Sequence, residues 1–272
     1  MAHVTSPVTA VAEQLPSWVT LVRAPNPGVM TLEGTNSWVL RASPAAPAIV
    51  IDPGPADESH LRALASHGPI AGMLVTHGHP DHVEGVDRLA ALTGAELLPR
   101  RDQSVAGLAV RAVETPGHTA DSVCFRIEAH AAAAVFTGDT ILGRGTTVVA
   151  WPDGDLGDYL ASLQRLGEFA GLPVLPGHGP ALTDCAAAAA YYLAHRKARL
   201  EQVRAALAAG ATTAAEVVAM VYAEVDRALW PAAEWSVRAQ LAYLSASSAG
   251  SGGAVTGRSR ESPVTSGELD SP

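Results

Sequence analysis

The sequence predicts an α/β protein carrying a small all-helical module after its main body. Three observations lead there. Up to Pro180, short β-rich runs alternate with Gly/Pro turns and helical stretches, the pattern of layered α/β domains. Beyond Pro180 the pattern turns wholly helical. The chain has 272 residues, 48% of them hydrophobic, enough for a sizeable core in one large or two modest domains.

The elements follow in order. Candidate strands are Trp18–Val22, Ser37–Arg41, Ala48–Ile51, Gly72–Thr76, Leu108–Val113, Val123–Ile127, Ala134–Phe136 and Pro173–Leu175. Helical patterning covers Glu58–Ala65, His82–Leu92 and Gly157–Phe169. The early strands succeed one another across turns. That favours partly antiparallel pairing over a plain doubly wound sheet. Leu182 to Leu207 is rich in Ala and other good helix formers, and Gly210 ends it. Val217, Val218, Val221, Tyr222 and Val225 form one apolar stripe at helical spacing; Val237, Leu241 and Leu244 form another. The expected organisation is a flexible segment 1–17, an α/β domain 18–181, a helical module 182–244, and a disordered Ser/Gly-rich tail 245–272.

Composition narrows the function. Lys plus Arg number 18 against 27 Asp plus Glu, a net charge of -9. Residues 190–244 carry 6 basic and 5 acidic groups, and no basic stripe of the kind that grips phosphate backbones stands out. No apolar run is long enough to span a bilayer, so no membrane partner is expected. Met1 to Pro16 has neither a basic cluster nor a continuous apolar core, so a secretory signal is not expected. With only Cys124 and Cys185, a disulfide framework or cysteine-rich zinc module is excluded and a cytoplasmic setting is expected.

The chemistry concentrates in Thr76-His77-Gly78-His79-Pro80-Asp81-His82, just after a predicted strand. Imidazole and carboxylate are zinc ligands. One loop cannot easily wrap four ligands around a single ion and leave room for substrate, but it can give two ligands to each of two ions. Further ligands recur in similar contexts: His118 in Thr115-Pro116-Gly117-His118-Thr119, Asp139 in Phe136-Thr137-Gly138-Asp139-Thr140, and His178 in Pro176-Gly177-His178-Gly179-Pro180. Each follows a strand and sits beside a glycine, which lets the backbone turn tightly. Two cations about 3.5–4 Å apart can share a water, lower its pKa and direct the hydroxide at a carbonyl or phosphoryl centre.

These residues resemble the metallo-β-lactamase superfamily: an HxHxDH loop followed by His, Asp and His, in order, across about residues 18–180. The resemblance implies a four-layer αβ/βα sandwich with two metals at one edge, and a hydrolase. It implies that His77, His79 and His118 hold the first ion, that Asp81, His82 and His178 hold the second, and that Asp139 bridges them. Asp81 and Asp139 become the catalytic carboxylates. The expected cofactors are two Zn2+ per chain, with other divalent metals acceptable.

Asn26-Pro27-Gly28-Val29-Met30-Thr31-Leu32-Glu33-Gly34-Thr35-Asn36 is similar to the opening of the β-lactamase-like protein 2 branch, as are Ile51-Asp52-Pro53-Gly54 and the helical module, winged-helix-like in that branch. The branch includes an endoribonuclease acting on single-stranded RNA, and a related branch contains acyl thioesterases. The first expected substrate is therefore RNA; the alternative is a thioester or ester, including glyoxalase II-type substrates. For RNA, Arg196, Lys197, Arg199 and Arg204 would face phosphates; otherwise they form a solvated face. For a thioesterase, Val217, Val221 and Leu241 would shape a pocket wall or a homodimer contact. The cysteine that well-known zinc β-lactamases place on the second metal is replaced by Asp139. Asp52 either supports the ligand loop or caps the Pro53-Gly54 turn.

Overall fold

The computed structural model describes residues 14–149 and 151–251. The first five strands are β1 (Val19–Arg23), β2 (Asn36–Leu40), β3 (Ala48–Ile51), β4 (Ile70–Leu74) and β5 (Glu96–Leu97); they form one sheet in that order. The second sheet has the order β10-β9-β8-β7-β6, from β6 (Gln103–Val105), β7 (Leu108–Glu114), β8 (Val123–Ala129), β9 (Ala132–Gly138) and β10 (Val174–Pro176). Both are mixed. The pairs β1–β2, β2–β3, β6–β7, β7–β8 and β8–β9 are antiparallel, while β3–β4, β4–β5 and β9–β10 are parallel.

Alternating side chains make this a four-layer sandwich. Trp38, Leu40, Ile49 and Ile51 point inward and meet Phe125, Ile127, Ala134 and Phe136 of the other sheet. Phe136 takes the edges of Trp18 and Trp38 at ring distances of 6.2 and 6.1 Å, a favoured aromatic geometry. The intervening residues Val39 and Val50 face outward against α1 (Glu58–Ala65) and α3 (Val86–Thr93). In the second sheet Cys124, Val135 and Val174 face α4 (Leu156–Leu166) and α5 (Cys185–Ala208). Strands buried on both faces read as unbroken apolar runs, which is why Ala48–Ile51 was legible without alternation.

The predicted helix His82–Leu92 is two helices, α2 (Pro80–Val83) and α3, separated at Gly85. A side chain at Gly85 would press within 2.7 Å of Leu61 and 3.1 Å of the Pro53 and Gly54 carbonyls, so the chain must pass here as glycine.

The module comprises α5, α6 (Ala214–Val221), a 3-10 turn Arg227–Leu229 and α7 (Trp230–Ser251). Thr213 and Glu216 form a reciprocal capping box that starts α6. Residues 182–251 contain no strand. Val217 is fully buried in the module core, with Val221 and Leu241 packed beside it. These residues help hold the module together, and Val221 and Leu241 stay only partly buried within it. The boundary expected at Leu244 also shifts, because α7 continues to Ser251. The rest of the expected tail, and segment 1–17 up to residue 13, lie outside the described residues. No helix among the described residues is long and apolar enough to cross a membrane.

Candidate metal centre

Strand direction assembles the site. β3, β4, β7, β9 and β10 all run toward one edge of the sandwich, and Asp52, the His77–His82 loop, His118, Asp139 and His178 follow them in turn. Within the loop, His79 caps α2 in an extended conformation and Pro80 occupies the first helical turn, where a missing N–H costs nothing. Asp81 and His82 are thereby folded back toward His77. Asn36 stitches the two sheets at this edge: its backbone N–H donates to Gly177 O at 2.8 Å, and its amide donates to the Pro176 and Gly179 carbonyls.

All seven predicted side chains converge. Three groups, each with ligand atoms within 4.8 Å of one another, emerge: His77–His79–His118, Asp81–His82–His178, and His77–His82–Asp139. His79 Nδ1 lies 3.0 Å from His77 Nε2 and 3.1 Å from His118 Nε2. Asp81 Oδ2 lies 3.2 Å from His178 Nε2 and 3.5 Å from His82 Nε2. Asp139 stands between the two trios, with Oδ1 3.5 Å from His82 and Oδ2 3.4 Å from His178 and 3.8 Å from His118.

The donor set fits divalent cations. His82 Nε2 and Asp139 Oδ1 are buried, and neither has a hydrogen-bond partner. Buried polar atoms are normally satisfied, and an ion between them would satisfy both. Room for it depends on glycine: a Cβ at Gly177 would lie 2.5 Å from Asp139 Oδ1 and 2.7 Å from the His82 ring. Gly138 has φ +47, and a Cβ there would strike the Thr76 side chain at 2.4 Å.

Asp52 supports the ligand loop. Its Oδ2 faces His82 Nδ1 at 2.9 Å and accepts from the Thr76 hydroxyl, while Oδ1 accepts from Thr76 N–H. An imidazole whose second nitrogen meets a carboxylate is fixed in tautomer and orientation. His118 Nδ1 likewise faces Val148 O at 2.6 Å and Thr147 Oγ1 at 3.2 Å. Thr35, whose hydroxyl reaches Asp81 Oδ2 at 3.3 Å, was missed in the sequence; Gly34-Thr35-Asn36 was the available signal.

The electrostatics match a shared pool of charge. Burial opposes the charge on His178, but Asp139 and Asp81 beside it raise its pKa to about 10. Burial likewise opposes the charge on His82, and Asp52 with Asp139 holds its pKa above the usual value. Burial pushes His77 and His118 down, toward the neutral form a metal needs. Burial disfavours the Asp139 carboxylate, yet the surrounding histidines hold its pKa well below the usual range.

A cleft of about 310 Å3 leads from His118 and Asp139 to the module, where Arg199, Tyr222, Val225 and Leu229 line it. Met30, Leu32, Leu142 and Val148 line it as well. The four basic residues expected to act together are dispersed. Arg196 is 3% exposed, donates to Thr147 O and stacks over Tyr159. Arg199 lies over the Tyr222 ring in the cleft. Arg204 pairs with Glu201, and Lys197 is exposed. Cys124 and Cys185 are buried free thiols, and burial raises Cys124 to about 11; neither is among the ligand groups.

Comparison with known proteins agrees with this geometry. The metallo-β-lactamase superfamily model matches residues 30–109 and 93–178. The β-lactamase-associated winged helix domain model matches residues 213–247. The chain belongs to the metallo-β-lactamase superfamily and is a hydrolase of that superfamily, with a His/Asp cluster suited to metal. It is 34% identical to lactamase-like protein vrtG of Penicillium aethiopicum, over 82% of this chain and 77% of that protein. It is 31% identical to the β-lactamase-like protein 2 homolog of Drosophila melanogaster, over 85% and 89%. It is 33% identical to the atrochrysone carboxyl ACP thioesterase of Aspergillus fumigatus, over 72% and 71%. A β-lactamase domain protein from Burkholderia ambifaria shares the fold, with TM-score 0.70 at 24% identity over 87% of this chain and 91% of that one.

Proposed function

We propose that the protein is a dinuclear metal hydrolase of activated acyl compounds, thioesters first and other esters second. The observation that carries this is the cleft: a walled, largely apolar space that begins at His118 and Asp139 and ends against the module. Such a space suits an acyl chain. The similarity to an ACP thioesterase supports the same reading. RNA, the first expectation from sequence, has less behind it, because Arg196 is buried and Arg204 is engaged with Glu201, so the four expected basic residues do not form one free run along a strand.

His77, His79 and His118 would hold one divalent cation and Asp81, His82 and His178 the other, with Asp139 facing both; zinc is the expected metal. When bound, the ions supply Lewis acidity and a nucleophile drawn from water at neutral pH. The chain does the rest. Asp52 fixes the His82 ring through Nδ1. Thr35 orients the Asp81 carboxylate. Met30, Leu32 and Leu142 exclude bulk water from the acyl group, which strengthens every polar interaction at the reacting centre.

The test is a substrate panel with purified, metal-analysed protein: S-acyl thioesters, lactones, single-stranded RNA and a β-lactam. Thioester turnover well above the other three is expected. RNA cleavage at comparable or greater efficiency would overturn the choice of substrate.

A further inference from the structure

The module end of the cleft holds two arginines, Arg196 and Arg199, that no carboxylate pairs with among the described residues. Arg196 is 3% exposed and lines the cleft, yet no carboxylate lies within ion-pair distance of it among the described residues. One terminal nitrogen donates to Thr147 O, and the Tyr159 ring lies 5.1 Å below, but its buried Nε has no partner. A buried cation left in this state is costly. His195 Nδ1, also lining the cleft, is buried without a partner.

Arg199 completes the arrangement. Its plane is set by the Tyr222 ring 4.3 Å away, and one terminal nitrogen is anchored on Val221 O and Gln202 Oε1. Its Nε and second terminal nitrogen have no partner among the described residues. Arg144, across the cleft, is paired with Glu33. Among the described lining residues Asp139 is the only carboxylate, and it belongs to the metal centre.

We propose that this end of the cleft is an anion subsite, in which Arg199, backed by Arg196, takes a carboxylate or phosphate carried by the substrate away from the bond that is cut. The proposal rests on the acyl-hydrolase reading and narrows it: the substrate is an amphipathic thioester or ester, with its apolar part against Met30, Leu32 and Val225 and its anion on the module. A guanidinium held by stacking and a backbone contact loses little freedom on binding, and charge-assisted hydrogen bonds to oxyanions are strong.

The experiment separates the subsite from the chemistry. Non-hydrolysable thioether analogues are made in anionic and neutral pairs, one pair with the carboxylate on the acyl side and one with a phosphate on the thiol side. Their binding to metal-loaded protein is measured by calorimetry. One anionic analogue is expected to bind at least about tenfold tighter than its neutral partner, and which pair shows the difference identifies the anion. The preference should collapse in Arg199→Met and return in part in Arg199→Lys. A wild-type titration with salt needs no variant: affinity for the anionic analogue should fall with ionic strength while that for the neutral one holds. Equal binding of anionic and neutral analogues by wild type, or a preference that survives Arg199→Met, overturns the subsite. Arg199-dependent anion preference together with no thioester or ester turnover supports the subsite and sinks the acyl-hydrolase reading instead.

Discussion

The guanidinium of Arg196, on α5, donates to the backbone carbonyl of Thr147, forty-nine residues earlier in the chain. That threonine and the next residue in turn hold Nδ1 of His118. The stretch from Asp139 to Val149 is clamped at two further points from the module, through Tyr192 to Leu142 and Ser236 to Val149. Gly143 N–H, in the same stretch, donates to His178 O at 2.9 Å. Three of the seven candidate ligands thus lean on one loop, and that loop leans on the C-terminal helices. The module therefore has a structural task at the candidate metal centre whatever the substrate.

Arg196→Met should loosen that clamp. The substitution keeps most of the apolar stem but leaves the Thr147 carbonyl without its donor, a loss of about 1–3 kcal/mol in stability. Calorimetry should show a lowered melting temperature, and metal titration should show weaker binding of one ion. Unchanged melting and unchanged affinity for both ions would mean that the loop is held by its own packing.

Asp139→Asn tests the residue between the trios. The amide keeps the shape but removes the negative charge that both ions are expected to share. Bound metal should fall from about two per chain to one or fewer, and turnover should fall by at least about a hundredfold, with circular dichroism unchanged. Full metal content and near wild-type turnover would remove Asp139 from its bridging position.

Gly177→Ala probes the space between Asp139 and His82 at the candidate metal site. The new methyl would stand 2.5 Å from Asp139 Oδ1, so either the loop or the carboxylate must move. Overpacking of this kind costs about 1–3 kcal/mol, and the measurable consequence is reduced metal stoichiometry in an otherwise folded protein. Wild-type stoichiometry would show that the loop yields without disturbing the ligands.

Which features could be read from sequence follows from how local their causes are. The seven candidate ligands were legible because five of them sit beside a glycine just after a strand, and Asp81 and His82 follow within the same short loop, a pattern contained in a few residues. Ala48–Ile51 and Glu58–Ala65 were legible because burial of both strand faces and a helical apolar stripe write themselves into the local pattern. The edge strands Glu96–Leu97 and Gln103–Val105 were not, being two and three residues long and without a buried residue. The break at Gly85 was hidden because its cause is a neighbouring helix and turn. Arg196 was the largest misreading: a charge at helical spacing looks solvated until its partner, distant in sequence, is known.

Asp52→Asn gives the most discriminating test of the support beneath the ligands. Asp52 has φ +52, a left-handed conformation that asparagine tolerates far better than most residues, so this variant avoids the backbone strain that alanine would bring. It removes a charge and one acceptor. Oδ1 accepts from Thr76 N–H, and Oδ2 meets both the Thr76 hydroxyl and His82 Nδ1. An amide nitrogen at the Oδ2 position would face His82 with a donor, and the ring would lose the contact that aims its other nitrogen at the metal. Flipping the amide instead would set that donor against Thr76 N–H. Either way His82 is less well oriented, and affinity for the second ion should fall about 10- to 100-fold, while the ion on His77, His79 and His118 binds nearly as before. Stepwise metal titration followed by cobalt spectroscopy resolves the two sites. Equal weakening of both, or of neither, would show that Asp52 serves the turn at Pro53-Gly54 rather than His82.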